Sequence, residues 1–262
     1  MAMLTDDRLA AELRTHTATL AGIVTADLNQ PVPSCPGWTF RQLATHVGRG
    51  HRWAAEMVTT RATEDLPMDQ VPDGKLPAGP VAQAAWLNTS ADLVVGAVAA
   101  AAGEQVWTFL GRRPARFWLR RRAHEAAVHL ADAQLASGHG IELAPDFAAD
   151  GIGEWLEMAA ASPQAVTALA RERRDNAGGD GQVLHFHATD PGLNGAGEWL
   201  VRRTPSGVTA EPGHVKADVA VRGPAARLLL VLTGRLPASD PAVEVLGDKE
   251  LFLRWLEHTP LR

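Results

Sequence analysis

Glu125 and His129 lie one helical turn apart in the segment Arg122–Asp132, and His46 lies in an earlier segment with a helical pattern. Because residues four apart share one face of an α-helix, Glu125 and His129 can bind one cation together, and Asp132 continues their stripe. With His46 as the third ligand, two imidazoles and one carboxylate leave coordination positions open, which is typical of a catalytic metal site. These residues predict a divalent-metal enzyme.

The same spacing has a plainer interpretation. A glutamate and a histidine at this separation often form a solvated pair on a helix surface. In this segment, however, the polar stripe lies among apolar side chains on the other faces, so we expect the helix to be largely buried, and buried charges need partners or a metal. The zinc-protease signature is excluded, because His124 and His129 lie about 140° apart around a helix.

Composition sets the broad class of the protein. With 262 residues, 46% of them hydrophobic, the chain can bury a sizeable core and has room for two domains. The formal net charge of -5 gives no electrostatic reason to expect nucleic acid or an anionic membrane as partner. No apolar run reaches membrane-spanning length, and the acidic N-terminus does not resemble a secretory signal, so we expect a cytoplasmic protein.

The single cysteine, Cys35, rules out an intramolecular disulfide and fits a reducing compartment. It lies in a proline-rich loop that leads into a helix. A catalytic thiol or an additional metal ligand is one interpretation, but a small buried turn residue is the one we favour. Any thiol chemistry would then use a thiol supplied from outside the chain.

The pattern of apolar residues predicts four long helices in the first half of the chain. Thr39 and Gln42 have the spacing of a capping box at the start of the second helix, and His51, further along it, is predicted to be an ordinary surface residue. The predicted helices span residues 5–28, 39–61, 81–102 and 114–138, with a long irregular connection at residues 64–80. Such bundles build metal sites from side chains on facing helices.

After residue 140 the pattern changes to one helix, alternating strands and two further helices. The helices are predicted at residues 147–173, 223–234 and 248–259, and the strands at 183–189, 198–203, 208–211 and 215–221. The predicted fold class is therefore α plus α+β. Residues 1–142 form the bundle domain, and residues 143–262 form a smaller domain with a mostly antiparallel sheet.

Three segments resemble the mycothiol-dependent maleylpyruvate isomerase family: Cys35–Val47, Glu125–Asp132 and the tail from Val219 to Arg235. The resemblance implies a DinB-like four-helix bundle followed by a sterol-carrier-like domain. It also implies that His46, Glu125 and His129 ligate a divalent metal, usually zinc. Mycothiol, a small thiol, would then be the cofactor or cosubstrate.

The resemblance also suggests roles for residues around the ligands. Asp132 would orient a ligand imidazole or form a simple salt bridge. Among the arginines, Arg235 is the candidate for a catalytic residue from the second domain, although it could equally contact the end of a helix. The arginines that flank the ligands are Arg49, Arg52, Arg121 and Arg122; Arg49, Arg52 and Arg122 are the candidates for cofactor binding, and one of the four could hold a substrate carboxylate.

The predicted function is activation of mycothiol for cis–trans isomerisation of a maleylpyruvate-like substrate, or for thiol transfer to an electrophile. The expected partners are a small-molecule substrate and the low-molecular-weight thiol, in a monomer or homodimer. Two alternatives use the same ligands. One is a non-enzymatic, metal-stabilised protein that binds a small ligand, and the other is a non-haem iron oxygenase.

Overall fold

In the computed structural model, which describes residues 4–161, 181–193, 195–204 and 207–258, four long helices occupy the first half of the chain. Leu20, Val47, Leu87 and Leu130, one from each helix, belong to the same buried cluster. The helices are α1 (Asp6–Val24), α2 (Phe40–Thr59), α3 (Pro80–Ala100) and α4 (Arg116–Ala136). The predicted four-helix bundle is confirmed.

The helix ends follow local chemistry. At the start of α2, the Gln42 side chain accepts a hydrogen bond from the backbone N–H of Thr39 at 3.0 Å, and the predicted capping box is present. The predicted start of α4 at Pro114 is wrong, because Arg113–Pro114 (β2) pairs with Gln105–Val106 (β1) as a small antiparallel ladder. That pairing holds the backbone extended through Pro114, and Ala115 then turns into the helix that begins at Arg116.

The connection between α2 and α3 is irregular, as predicted, apart from a short 3-10 turn at Met68–Gln70. Indole N–H groups attach it to the bundle: Trp53 donates to the carbonyl of Leu66, and Trp86 donates to the carbonyl of Asp73, each at 2.8 Å. These bonds fix a long loop that has little secondary structure of its own.

The second half of the chain contains a five-stranded sheet with helices. Within the described residues its elements are α5 (Pro145–Ala160), β3 (Val183–Ala188), β4 (Glu198–Thr204), β5 (Gly207–Pro212), β6 (Val219–Gly223), α6 (Ala225–Leu232), β7 (Glu244–Gly247) and α7 (Lys249–His258). The strand order is β5-β4-β3-β6-β7, and β3 with β6 is the parallel pair among antiparallel ones. The predicted class and the mostly antiparallel sheet are confirmed.

Some predicted boundaries in this half differ from the structure. The strand predicted from Val215 begins at Val219, and the edge strand β7 was not predicted, because its four residues carry no apolar alternation. The predicted extension of α5 to Arg173 lies outside the described residues. A buried cluster that includes Phe186, Trp199 and Phe252 forms the core of this half.

The chain divides into two compact units, Leu4–Ile141 and Glu142–Arg262, called here the helical unit and the sheet unit. None of the described helices is long and apolar enough to cross a membrane.

Candidate metal centre

His46 on α2 meets Glu125 and His129 on α4. His46 Nε2 lies 3.0 Å from Glu125 Oε1, and His129 Nε2 lies 3.8 Å from the same oxygen. One ligand atom from each of the three residues lies within 4.8 Å of the other two. The structure thus brings together the three side chains predicted to be ligands, and α4 is largely buried, as its pattern predicted.

The cluster is open to solvent on one side. The side chain of His46 is 41% exposed, that of Glu125 is 20% exposed and that of His129 is 8% exposed. Since exposure falls from α2 towards α4, a small molecule would reach the cluster past His46. His129 forms its inner wall.

Asp132 lies behind His129 and fixes its ring. Asp132 Oδ2 is 2.8 Å from His129 Nδ1, and the carboxylate is fully buried. Ser34 Oγ donates to Asp132 Oδ1 at 2.6 Å, and Cys35 Sγ donates to Oδ2 at 3.4 Å. Because Nδ1 and Nε2 lie on opposite edges of an imidazole, the bond to Asp132 turns Nε2 of His129 towards Glu125.

Two arginines position the carboxylate of Glu125. Arg122 Nη1 lies 2.9 Å from Glu125 Oε2, and Arg121 Nε donates to the same oxygen at 3.2 Å. Both arginines therefore hold Oε2, while Oε1 faces His46 and His129. The two oxygens of one carboxylate thus serve different partners.

Behind Arg122 lies His51, whose predicted surface position is wrong because the residue is completely buried. Arg122 Nε donates to His51 Nδ1 at 3.0 Å, and His51 Nε2 lies 3.1 Å from Thr17 Oγ1 on α1. Since Nδ1 accepts a hydrogen bond, the proton of the neutral ring lies on Nε2 and is donated to Thr17. A chain of hydrogen bonds therefore links α1 and α2 to Glu125.

Gly50 provides the room that Arg122 needs. A Cβ atom at position 50 would lie 2.6 Å from Arg122 Nη2, which is shorter than a van der Waals contact allows. The glycine therefore permits α2 to lie against the guanidinium group. No feature of the apolar stripe indicated this role.

The electrostatic environment favours an ionised Glu125. Burial by itself would raise the pKa of Glu125, but Arg122, His129, His46 and Arg121 outweigh it and hold that pKa well below its usual range. The carboxylate is therefore charged, as a metal ligand must be.

His46 and His129 differ in their environments. Burial lowers the pKa of His46, in spite of the opposing bond to Glu125. Burial also disfavours the charged form of His129, but hydrogen bonds with Asp132, Cys35 and Glu125 outweigh it and raise the pKa of His129 to about 10. A metal that binds at Nε2 would therefore displace a proton from this ring.

Cys35, His129 and Asp132 form a second group whose possible metal-ligand atoms lie close together. Its backbone closes a turn, with its N–H donating to Val32 and its carbonyl accepting from Trp38, each at 3.0 Å. Its thiol contacts the carboxylate that holds Nδ1 of His129, and that edge of the ring lies opposite Nε2. Cys35 is thus a turn residue, as predicted, but it is partly buried and adjoins the site.

Trp38 is a site residue that the sequence interpretation did not single out. The centroid of its ring lies 5.0 Å from that of His46 and 6.2 Å from that of His129. Its position in the Cys35–Trp38 loop, directly before the helix that carries His46, is the sequence feature that could have indicated this role. The indole forms an aromatic wall beside the imidazoles of His46 and His129.

The remaining predicted arginines have other contacts. Arg49 Nε donates to the carbonyl of Gly74 at 2.8 Å, and Arg52 lies over the Trp86 ring at 5.3 Å. Arg235, in the sheet unit, donates to the carbonyl of Thr233 at 2.7 Å, just after α6, which is the helix-end contact given as its alternative. Roles of these residues in cofactor or substrate binding stay predictions.

The donor set fits a zinc-class divalent ion. It consists of two imidazoles and one carboxylate, and one imidazole is backed by a buried carboxylate. This combination, with access on the side of His46, is typical of a catalytic site rather than a closed structural one.

The sequence profile of the mycothiol maleylpyruvate isomerase N-terminal domain matches residues 9–134, and the profile of the MDMPI C-terminal domain matches residues 146–254. Among solved structures, a crystal structure of the mycothiol-dependent maleylpyruvate isomerase is 17% identical, and one of a mutant of it is 16% identical. Each alignment covers 92% of this chain and 93% of the other, with a TM-score of 0.51. No curated protein sequence matches the chain.

Proposed function

The chain belongs to the mycothiol maleylpyruvate isomerase family, and on that premise we propose that it is a divalent-metal-dependent enzyme that uses mycothiol to isomerise a maleylpyruvate-like cis diacid. The observation that carries the proposal is the convergence of His46, Glu125 and His129, with Asp132 behind His129. The three converging residues hold the metal, and their donor types favour zinc.

A divalent metal held there would supply Lewis acidity and lower the pKa of a thiol, so that the nucleophile exists at neutral pH. The chain's own residues prepare the site. Asp132 holds His129 at Nδ1, and Arg121 and Arg122 hold Glu125 at Oε2. The ligand atoms are therefore held in place by separate partners, which is the support that catalytic sites need.

The reaction needs no external oxidant or reductant. The thiolate sulfur, whose proton has already left, forms a bond to one carbon of the conjugated double bond, and the electron pair of that double bond moves into the adjoining carbonyl group to give an enolate. Rotation about the resulting single bond follows. Elimination then returns the electron pair of the enolate to the double bond, now in the trans geometry, as the S–C bond breaks and releases the thiolate. Trp38, beside both imidazoles, offers an apolar wall for the reacting chain of the substrate.

The test begins with metal content. We expect His46→Ala, Glu125→Ala and His129→Ala each to abolish metal binding at this site and all thiol-dependent turnover, because loss of one of three ligands leaves two. His139→Ala is the matched control, since His139 is an exposed histidine beyond the end of α4. Full metal content in all three ligand variants, measured by elemental analysis, would remove the site from contention.

Product analysis distinguishes isomerisation from thiol transfer. The metal-loaded protein is incubated with mycothiol and a conjugated cis diacid or an activated electrophile. Trans product with the thiol recovered supports the isomerase, whereas a thioether adduct with the thiol consumed identifies a transferase. No thiol-dependent reaction in folded, fully metallated protein would favour a non-enzymatic or oxygenase function.

A further inference from the structure

The sheet unit carries a second cluster of histidine and glutamate side chains. Side chains alternate between the two faces of a strand, and on β3 the core face holds Leu184 and Phe186. His185 and His187 therefore share the other face. In the register with β4, His187 lies directly opposite Glu198, so the two strands place these polar side chains together.

Glu198 is the centre of this cluster. His185 Nε2 lies 2.9 Å from Glu198 Oε2, and His214 Nδ1 makes a close hydrogen bond to the same oxygen. One donor atom each from His185, Glu198 and His214 lies within 4.8 Å of the other two. Two imidazoles on separate segments of the chain therefore point at one carboxylate oxygen.

The surroundings of the three side chains resemble those of a ligand site with one open side. The side chain of His185 is 7% exposed, that of Glu198 is 21% exposed and that of His214 is 71% exposed. The His187 ring lies 5.9 Å from the His185 ring and 6.4 Å from the His214 ring, centroid to centroid. A further imidazole is thus close to the open side.

We propose that His185, Glu198 and His214 form a second divalent-metal site, specific for a zinc-class ion. Imidazole nitrogens suit zinc, copper, nickel and cobalt, whereas calcium and magnesium prefer sites built of oxygen ligands. An ion between the three donors takes the place of the protons that the imidazoles share with Glu198. It fastens the segment after β5, which carries His214, to β3 and β4.

This site is independent of the function proposed above, since its ligands lie in the sheet unit and those of the first site lie in the helical unit. Each site can therefore be removed by itself in the full-length protein. His214→Ala is the best variant for the second site, because an exposed side chain can be shortened without leaving a cavity in the core. His46→Ala serves the same purpose for the first site.

The experiment counts zinc in metal-buffered titrations of the full-length chain. We expect about two ions for the wild type and the His139→Ala control, about one for His214→Ala, about one for His46→Ala and none for the double variant. Glu198→Gln should behave like His214→Ala, since an amide keeps the shape of the side chain but loses the charge. In the His46→Ala background, zinc should raise the thermal midpoint, and His214→Ala should abolish that rise.

The proposal is overturned if His214→Ala and Glu198→Gln bind as much zinc as the wild type, with the same affinities. It is also overturned if His46→Ala binds no zinc while the wild type binds about one, because the first site would then account for all of the metal. Calcium in place of zinc is the selectivity control. Equal binding of both ions would contradict a site made with imidazole ligands.

Discussion

Asp132 decides which nitrogen of His129 faces Glu125, the neighbouring proposed ligand. The carboxylate is buried and receives hydrogen bonds from Ser34 and Cys35, so it cannot turn away from the ring. We expect Asp132→Asn to weaken zinc affinity by roughly 10- to 100-fold, the usual effect of removing a carboxylate behind a ligand histidine. Competition with a chromophoric chelator measures the change.

Cys35→Ser is the matched control for that variant. A serine hydroxyl can donate to Asp132 as the thiol does, so metal content and most of the activity should be retained. Zinc affinity unchanged in Asp132→Asn would show that the ring is held by other contacts. Loss of metal in Cys35→Ser would show that Cys35 does more than close a turn.

At the scale of elements, His51 joins α2 to α1 and α4 through its hydrogen bonds. Its burial as a neutral ring predicts that the stability of the protein depends on pH. Burial, followed by the charge of Arg122, keeps the pKa of His51 well below its ordinary value, so the folded protein holds the neutral ring. Below about pH 6.5 the unfolded chain takes up a proton at His51 and the folded protein does not. The groups that act on His51 are Thr17 on α1, Arg122, Glu125 and His129 on α4, and His46 on its own helix α2.

The expected sign follows from that difference in proton uptake. Because the unfolded state binds more protons below about pH 6.5, the free energy of unfolding falls as the pH falls, by up to ~1.4 kcal/mol per pH unit for this group. His51→Gln can accept from Arg122 and donate to Thr17 but does not titrate, so its stability should fall less steeply. Urea unfolding of both metal-free proteins between about pH 7.5 and about pH 5.5 measures the slopes. Equal slopes would contradict a neutral His51.

At the scale of the whole molecule, a metal that binds the folded helical unit must stabilise it. Zinc at about 100 times its dissociation constant adds ~2.7 kcal/mol to the stability of the state that binds it. The proposed ligands lie on α2 and α4, so zinc should slow amide hydrogen exchange in these helices. Exchange measured by mass spectrometry with and without zinc tests this in the full-length chain.

His46→Ala should abolish that protection in α2 and α4, since its half-exposed side chain contributes a ligand atom and little to the core. His139→Ala should behave as the wild type does. If His46→Ala keeps the zinc-dependent protection in these two helices, the ion binds elsewhere in the helical unit.

The sequence by itself determined the helices and the two-His, one-carboxylate set. Apolar periodicity depends on local geometry, so it placed the four long helices, and the spacing of Glu125 and His129 put both on one helix face. The capping box also depends only on residues close in the chain, Thr39 and Gln42, so the sequence predicted it. Three short segments, Cys35–Val47, Glu125–Asp132 and Val219–Arg235, carry the family resemblance, and the two family profiles match residues 9–134 and 146–254.

Only the tertiary structure decided which side chains surround His46, Glu125 and His129. His51 is buried because three helices meet around it, and Trp38 adjoins the imidazoles because a loop folds back onto α4. The cluster of His185, Glu198 and His214 arises from strand pairing and a later loop. Such contacts join residues that are distant in the chain, and periodicity along one segment carries no information about the segment that packs against it.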